Sequence, residues 1–305
     1  MRLITRSDFD GLACAVLLRE VEQIDSVEFV HPKDVQDGKI QVGRNDILTN
    51  LPYVLGVGLW FDHHSSEIVR NEETVTYRGR FEVAPSAARV VYNHYGPERL
   101  GKYAKLLESV DKSDAAQLTM EDVTNPTGWM LLSYVMDPRT GLAYHHGYRV
   151  SNRELMTRMI DLIAEHPDDP EVVVNDPDVQ ERTARYFAQE EGFARVTRER
   201  SRVDGNVIIT DLRGLGDPPA GNRFLIYTMF PEANIQVRIF DGRKGEFVVC
   251  AVGHSIFNRT SKTDVGGLLS TYGGGGHRGA GTCQLPLADA DAKIIEIVAA
   301  IKQNG

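Results

Sequence analysis

Only three of the 305 residues are cysteine, Cys14, Cys250 and Cys283, an odd number set far apart among apolar or small neighbours. That excludes a disulfide framework and predicts buried, reduced thiols. Long apolar runs are missing as well. The longest, such as residues 13–18 and 248–252, fall far short of the roughly 20 residues that a bilayer-crossing helix needs, so no membrane partner is expected. The opening residues Met1-Arg2-Leu3-Ile4-Thr5-Arg6 turn acidic by Asp8, with neither the apolar core nor the cleavage site of a secretory signal; this predicts a cytoplasmic protein. An excess of basic charge is absent too. Lys and Arg number 34 against 43 Asp and Glu, leaving a net charge of -9. Broad, non-specific duplex binding through a basic surface is therefore unfavourable, and an anionic substrate has to be captured by a local site.

What is present is the balance of an ordinary globular protein, 42% hydrophobic and 25% charged, in a chain long enough for two domains. Residues 2–5 read as a short buried strand that breaks at Ser7-Asp8-Phe9-Asp10-Gly11, and residues 12–21 then carry apolar side chains at helical spacing. Further strands are expected at 27–30, 47–48 and 54–61, and helices at 86–95, 99–110, 152–165 and 177–201. The alternation implies an α/β fold with a mostly parallel sheet, whose ligand site lies at the carboxyl ends of the strands. The long polar helix suits a connection, so we expect an N-terminal domain over 1–190, a helical linker over 191–205 and a smaller α/β C-terminal domain over 206–305. There, strands are expected at 207–210, 224–229, 235–240 and 246–252, then a glycine-rich segment at 266–281 and a closing helix over 289–301.

Two clusters stand where such a sheet would place a site. Asp8 and Asp10 follow the first strand and aim two carboxylates toward one spot. Like charges that close call for a cation, unless one of them merely caps the following helix. Leu59-Trp60-Phe61-Asp62-His63-His64 ends an apolar strand with a carboxylate and two imidazoles, costly groups to leave there without ligands or partners. Oxygen ligands suit Mg²⁺ or Mn²⁺, and added imidazole favours Mn²⁺ or another transition metal. His145-His146 read as a solvated turn, His31-Pro32 as a plain turn that follows a strand, and His94 as packing.

Asp8-Phe9-Asp10-Gly11, then Asp62-His63-His64, and far downstream Gly273-Gly274-Gly275-Gly276-His277-Arg278-Gly279-Ala280-Gly281 resemble, in order, the motifs of the DHH phosphoesterase superfamily with its associated C-terminal domain. That family includes RecJ-type exonucleases, oligoribonuclease and phosphoadenosine-phosphate phosphatases, cyclic-dinucleotide phosphodiesterases and exopolyphosphatase-related proteins. The resemblance implies a parallel-sheet domain holding a pair of Mn²⁺ ions and a smaller domain that grips substrate phosphate. Carried over, it makes Asp8 and Asp10 metal carboxylates and His63 a metal ligand. Asp62 would orient that shell and His64 would lie near the phosphate. The fourth motif's Asp falls on Asp111 or Asp114, with Asp111 preferred because it comes straight off the apolar helix. Asn258 and Arg259 resemble the strand end beside the glycine loop, and with Gly274, Gly275, Gly276, His277 and Arg278 they make up the expected substrate grip. Tyr272 and Phe257 could stack a base, or be core.

Two positions depart from the family pattern. Arg6 stands near where a His or Asp ligand is normal, and Asn50 aligns with a bridging Asp, with Asp46 as a substitute only under a different alignment. Arg6 cannot ligate a metal in its charged form, and Asn50 offers only a neutral carbonyl oxygen. We therefore expect one to two Mn²⁺ (or Mg²⁺) per chain, biased toward one, with the Arg6 guanidinium neutralising Asp8. The expected activity is hydrolysis of a short phosphorylated substrate by metal-activated water, the substrate being a single-stranded oligonucleotide, a dinucleotide or a nucleoside bisphosphate. An exopolyphosphatase or pyrophosphatase activity and a catalytically silent phosphoryl-ligand binder are the alternatives. The oligomeric state stays open, a homodimer included.

Overall fold

Hydrophobic side chains at Leu3 and Ile4 are fully buried between parallel neighbours, and they make Arg2–Arg6 an interior strand, β1, of the first sheet. The computed structural model describes residues 1–64 and 76–305. The chain divides into two units, Met1–Phe187 and Ala188–Gly305. Among the described residues, no helix is long and apolar enough to cross a membrane.

In the first unit β1, β2 (Ser26–Val30), β3 (Asp46–Thr49), β4 (Leu59–Asp62) and β5 (Gly79–Phe81) form a parallel sheet in the order β2-β1-β3-β4-β5. The chain leaves β1 toward β2 on one side and β3 on the other, so the crevice at the carboxyl ends of β1 and β3 is a topological switch point. Helix α1 (Phe9–Val21) packs into the core with every residue from Phe9 to Leu18 buried. Small residues Gly11, Ala13, Cys14 and Ala15 allow that approach: a Cβ on Gly11 would stand 2.0 Å from the Arg6 carbonyl oxygen. Leu12, Leu17 and Leu18 are fully buried, and each contributes about 1.5–3 kcal/mol of apolar burial. Strand β4 is buried on both faces, as a covered parallel strand should be. On one face Trp60 stacks on Phe81 with centroids 5.6 Å apart and donates to the Leu51 carbonyl at 2.9 Å.

Around α1 lie α2 (Ala87–Tyr95), α3 (Ala104–Asp114), α4 (Gly128–Met136) and α5 (Asn152–Glu165); α6 (Pro177–Glu199) follows, and the division between units falls within it. The strand expected at 54–61 is only Leu59–Asp62, because Gly56 turns the chain with φ 90° and Leu55 is 85% exposed. The helix expected at 99–110 breaks into a short turn and α3, which runs on to Asp114.

The second unit holds a mixed sheet in the order β10-β11-β9-β8-β7-β6. Its strands are β6 (Ser201–Asp204), β7 (Val207–Asp211), β8 (Ile235–Asp241), β9 (Phe247–His254), β10 (Gly275–His277) and β11 (Ala280–Pro286). One face buries Val237, Val252 and Leu285 against Leu269 of α7 (Val265–Ser270) and against α8 (Ala290–Asn304). The strand expected at 224–229 is helical instead, because the Asn222 side chain accepts from Phe224 N and caps the turn. All three cysteines are buried and free.

Candidate metal centre

The residues after β1 are held by a web of polar contacts. Asp8 is the N-cap of α1, and its Oδ1 accepts from Gly11 N at 2.9 Å and from Asn50 Nδ2 at 3.1 Å. Its other oxygen, Oδ2, lies 2.8 Å from Arg6 Nε. Helix capping and charge pairing therefore engage both carboxylate oxygens. Asn50 reaches Asp8 from the end of β3 with φ 53°, a left-handed conformation that asparagine tolerates. Its Oδ1 is buried without a hydrogen-bond partner. Asp46 lies at the opposite end of β3, bound to Arg2 at 2.9 and 2.8 Å, and takes no part in this site.

Asp10 points the other way. Its oxygens accept from Ala87 N at 2.9 Å and Ala88 N at 2.8 Å, so a side chain of α1 closes the amino end of α2. Its Oδ2 also lies 3.9 Å from His63 Nε2, which in turn is 3.3 Å from Asp114 Oδ2. His63 Nδ1 lies 3.0 Å from the Ala84 carbonyl, an acceptor only, so Nδ1 carries a proton, and in the neutral ring Nε2 presents a lone pair to two carboxylates. Nε2 is buried and has no hydrogen-bond partner. One ligand atom each from Asp10, His63 and Asp114 lie within 4.8 Å of one another. Burial above all, then the charges of Asp114 and Asp8, push the Asp10 carboxyl well above its ordinary range, against the opposing amides of α2. Partial desolvation of Asp114, which keeps an exposed edge, also raises its carboxyl; His63 pulls the other way and Asp8 adds to the rise. Such a set is stable either protonated or around a cation. The unpartnered Nε2 facing two oxygens fits a divalent metal.

Of the two carboxylates offered for the fourth position, Asp114 faces His63 and Asp111 does not. Asp111 accepts from Ser86 Oγ at 2.6 Å and pairs with Arg89 at 2.6–2.8 Å, which ties α3 to α2. Asp62 is buried and bound to His64 Nδ1 at 2.8 Å, not to His63 as expected; the Ala84 carbonyl sets the His63 tautomer instead. Asp62, His63 and His64 form a second group close enough for a cation. These two groups share His63, and among the described residues they are the only ones with three or more possible ligands.

Sequence reasoning missed one cation. Arg139 follows α4 in an Asx turn, where Asp137 Oδ1 accepts from its N at 2.9 Å and its Nε at 2.7 Å. Its side chain is half exposed; partial desolvation works against its charge, and Asp137, with Asp8 and Asp114 adding, outweighs that and raises its pKa. The Asp-Pro-Arg run after an apolar stretch was the available signal.

The other candidates lie in the second unit, in and near the β10–β11 hairpin. The glycines there serve packing first. Gly273 and Gly274 donate to Ser270 and Leu269 carbonyls and end α7, and a Cβ on Gly274 would meet Thr282 O at 2.3 Å. Gly276 pairs with Gly281 across the hairpin, whereas the space around Gly275 is open. His277 and Arg278 are exposed at the turn. Arg259 Nε donates to Ile256 O, and Asn258 Nδ2 to Glu232 O, each at 3.0 Å. Tyr272 packs against the core. In the first unit His94 packs edge-on to Phe61 at 5.1 Å, His31 caps a short helix, and His145 and His146 line a surface hollow with Tyr148 and Asn152.

A parallel sheet with Asp10 after its central-crevice strand, His63 after β4 and Asp114 at the end of α3, followed in the chain by a small domain with a glycine-rich hairpin, is the arrangement expected of a phosphoesterase of the DHH type. The chain is 42% identical to PggH, a pGpG-specific phosphodiesterase from Vibrio cholerae, over 100% of this chain and 99% of that one, with a TM-score of 0.83. Two distant structures share the fold. An exopolyphosphatase-related protein from Bacteroides fragilis is 12% identical over 99% of this chain and 92% of that one, with a TM-score of 0.54. RecJ in complex with Mn²⁺ from Thermus thermophilus is 17% identical over 99% of this chain and 52% of that one, with a TM-score of 0.51. No protein-family model and no curated protein matches the chain. The chain belongs to the DHH phosphoesterase superfamily and is a metal-dependent phosphoesterase.

Proposed function

We propose that the chain hydrolyses the linear dinucleotide pGpG at its internal phosphodiester bond, releasing two guanosine 5′-monophosphates. The observation that carries this reading is the 42% identity to PggH across essentially the whole of both chains. The distant likeness to exopolyphosphatase-related and RecJ proteins supports the fold alone.

Asp10, His63 and Asp114 would hold the cation, which we read as Mn²⁺ with Mg²⁺ as the alternative, and one ion per chain is the expected number. When bound, it supplies a more acidic water and draws charge from the phosphoryl oxygens. The protein's own groups do the rest. The α2 amides and the Ala84 carbonyl fix the Asp10 carboxylate and the His63 ring before substrate arrives. The Arg6–Asp8–Asn50 cluster keeps a guanidinium beside the site without a second ion. Asp62 binds His64 Nδ1 and so orients its Nε2, which suits His64 to steady charge on the phosphoryl group or to give a proton to the departing 3′ oxygen. In the second unit, Arg259, His277 and Arg278 are the proposed anion contacts, with Asn258 and the glycines Gly274, Gly275 and Gly276 shaping the loop.

The test is a hydrolysis screen with Mn²⁺ and with Mg²⁺ over pGpG, pApA, longer RNA, phosphoadenosine phosphate, pyrophosphate and polyphosphate. Preferential turnover of pGpG to the mononucleotide is expected. Faster turnover of polyphosphate or of longer RNA refutes the reading.

A further inference from the structure

His254 ends β9 beside the glycine hairpin. Its main-chain N–H donates to the Gly279 carbonyl at 2.8 Å, which holds the residue against the hairpin turn. Ring Nε2 lies 2.9 Å from the Thr263 carbonyl. A carbonyl only accepts, so Nε2 carries the proton, and in the neutral ring Nδ1 presents a lone pair. Nδ1 faces the turn: a Cβ added to Gly279 would stand 3.8 Å from it, in ordinary contact. Among the described residues no hydrogen bond to Nδ1 is found, and the side chain is half-buried. The turn itself is packed against α7. The Arg278 carbonyl accepts from Val265 N at 2.9 Å, and a Cβ on Gly266 would strike the Gly276 carbonyl at 2.5 Å, so α7 sits directly on the hairpin. A fixed, half-buried acceptor beside exposed His277 and Arg278 is unusual in a loop expected to grip an anion. Phosphate oxygens at neutral pH are acceptors, and a lone pair repels them.

We propose that His254 is a specificity residue whose Nδ1 accepts a hydrogen bond from a donor on the nucleoside part of the substrate. The donor is either the amide and amine edge of guanine or a ribose 2′-hydroxyl. Either one selects a nucleotide over a bare phosphate chain, because only the nucleotide can satisfy the acceptor. The inference rests on the dinucleotide reading above and adds how the substrate class is told apart.

Two substitutions separate recognition from support. His254→Gln keeps a donor near the position of Nε2 for the Thr263 carbonyl and removes the Nδ1 acceptor. His254→Asn places a carbonyl oxygen near the position of Nδ1 and drops the bond to Thr263. Steady-state kinetics of both variants and the native protein are measured on pGpG, its 2′-deoxy counterpart, its inosine counterpart and bis(p-nitrophenyl) phosphate. For His254→Gln we expect KM for pGpG to rise about five- to tenfold, the size of one hydrogen bond, with a several-fold smaller loss on bis(p-nitrophenyl) phosphate. His254→Asn should recover part of the pGpG loss, and it alone decides the matter if the Gln variant does not fold. The analogue on which native and Gln proteins behave alike identifies the donor. Unchanged KM for pGpG, or equal losses on pGpG and the nucleoside-free ester, overturns the inference while native pGpG turnover keeps the dinucleotide reading. Absence of pGpG turnover by the native protein overturns both.

Discussion

Arg6 Nε lies 2.8 Å from Asp8 Oδ2 and occupies the oxygen that the first carboxylate of the motif would otherwise turn toward a metal. With Gly11 N and Asn50 Nδ2 on the other oxygen, Asp8 is engaged on both sides by groups that carry no exchangeable ion. The expected consequence is one tightly held Mn²⁺ per chain, and elemental analysis after gel filtration reads it directly. The double variant Arg6→Asp, Asn50→Asp removes the built-in cation and adds two oxygen ligands, so its content should rise toward two. Two ions in the native protein, or no gain in the double variant, would overturn the assignment.

Asp111 and Asp114 differ in what their loss should do. Asp114 faces the His63 lone pair, so Asp114→Asn should weaken Mn²⁺ binding by roughly 10- to 100-fold and remove most turnover, with melting in the absence of metal little changed. Asp111 instead joins α3 to α2 through Ser86 and Arg89. Asp111→Asn should cost about 1–3 kcal/mol of stability, with Mn²⁺ affinity nearly intact. Calorimetric Mn²⁺ titration beside thermal melting separates the two outcomes, and exchanged phenotypes would reverse the reading of α3.

That pair also shows where the sequence stops being legible. Asp10 and His63 were readable because each follows an apolar strand whose end is a natural place for a site. The choice between Asp111 and Asp114 was not, since helical periodicity faded at Val110 while α3 continues one further turn. Only the position of Arg89 on α2 decides which carboxylate is taken up structurally. Helix α4 escaped notice because all its residues are buried, leaving no amphipathic stripe. The apolar run at 224–229 has strand composition, and its helical state comes from the Asn222 cap. Arg139 reaches the Asp8 and Asp114 field from a loop far away in sequence, which no local pattern encodes.

Asp62 is buried and its visible partner is His64 Nδ1 at 2.8 Å. If the pair serves proton or charge management at the phosphoryl group, Asp62→Asn should lower kcat by about 10²–10⁴-fold and change the pH profile of kcat/KM, while Mn²⁺ content stays the same. Loss of bound metal with an unaltered profile would make Asp62 a support for the ligand set instead.

The glycine run makes a contrasting pair of substitutions. A Cβ on Gly274 would meet Thr282 O at 2.3 Å and Cys283 Cβ at 2.5 Å, backbone and core that cannot yield, whereas Gly275 has nothing within 4 Å. Gly274→Ala should therefore destabilise the second unit by about 1–3 kcal/mol. Gly275→Ala should leave the melting temperature within a degree or two, and any rise in KM there reports close approach of ligand to the strand edge. Equal melting of the two variants would contradict the packing of this hairpin.

Asp46 offers a pH dependence remote from the metal. Burial opposes its ionisation, and Arg2 and the Gly43 N–H outweigh that, holding its carboxyl below the ordinary range. A depressed folded-state pKa means that the unfolded chain binds the proton first as pH falls. The pair's contribution is then fully present above the unfolded value of about 3.9 and is lost as pH drops through the folded one. Because the Arg2 side chain is 36% exposed, solvent screening limits the contribution to about 1 kcal/mol. Urea unfolding of the native protein and Asp46→Asn at pH 7 should differ by about that amount, and the gap should close below pH 4. A gap that persists or widens in acid would show that Asp46 stabilises the fold by some means other than its charge.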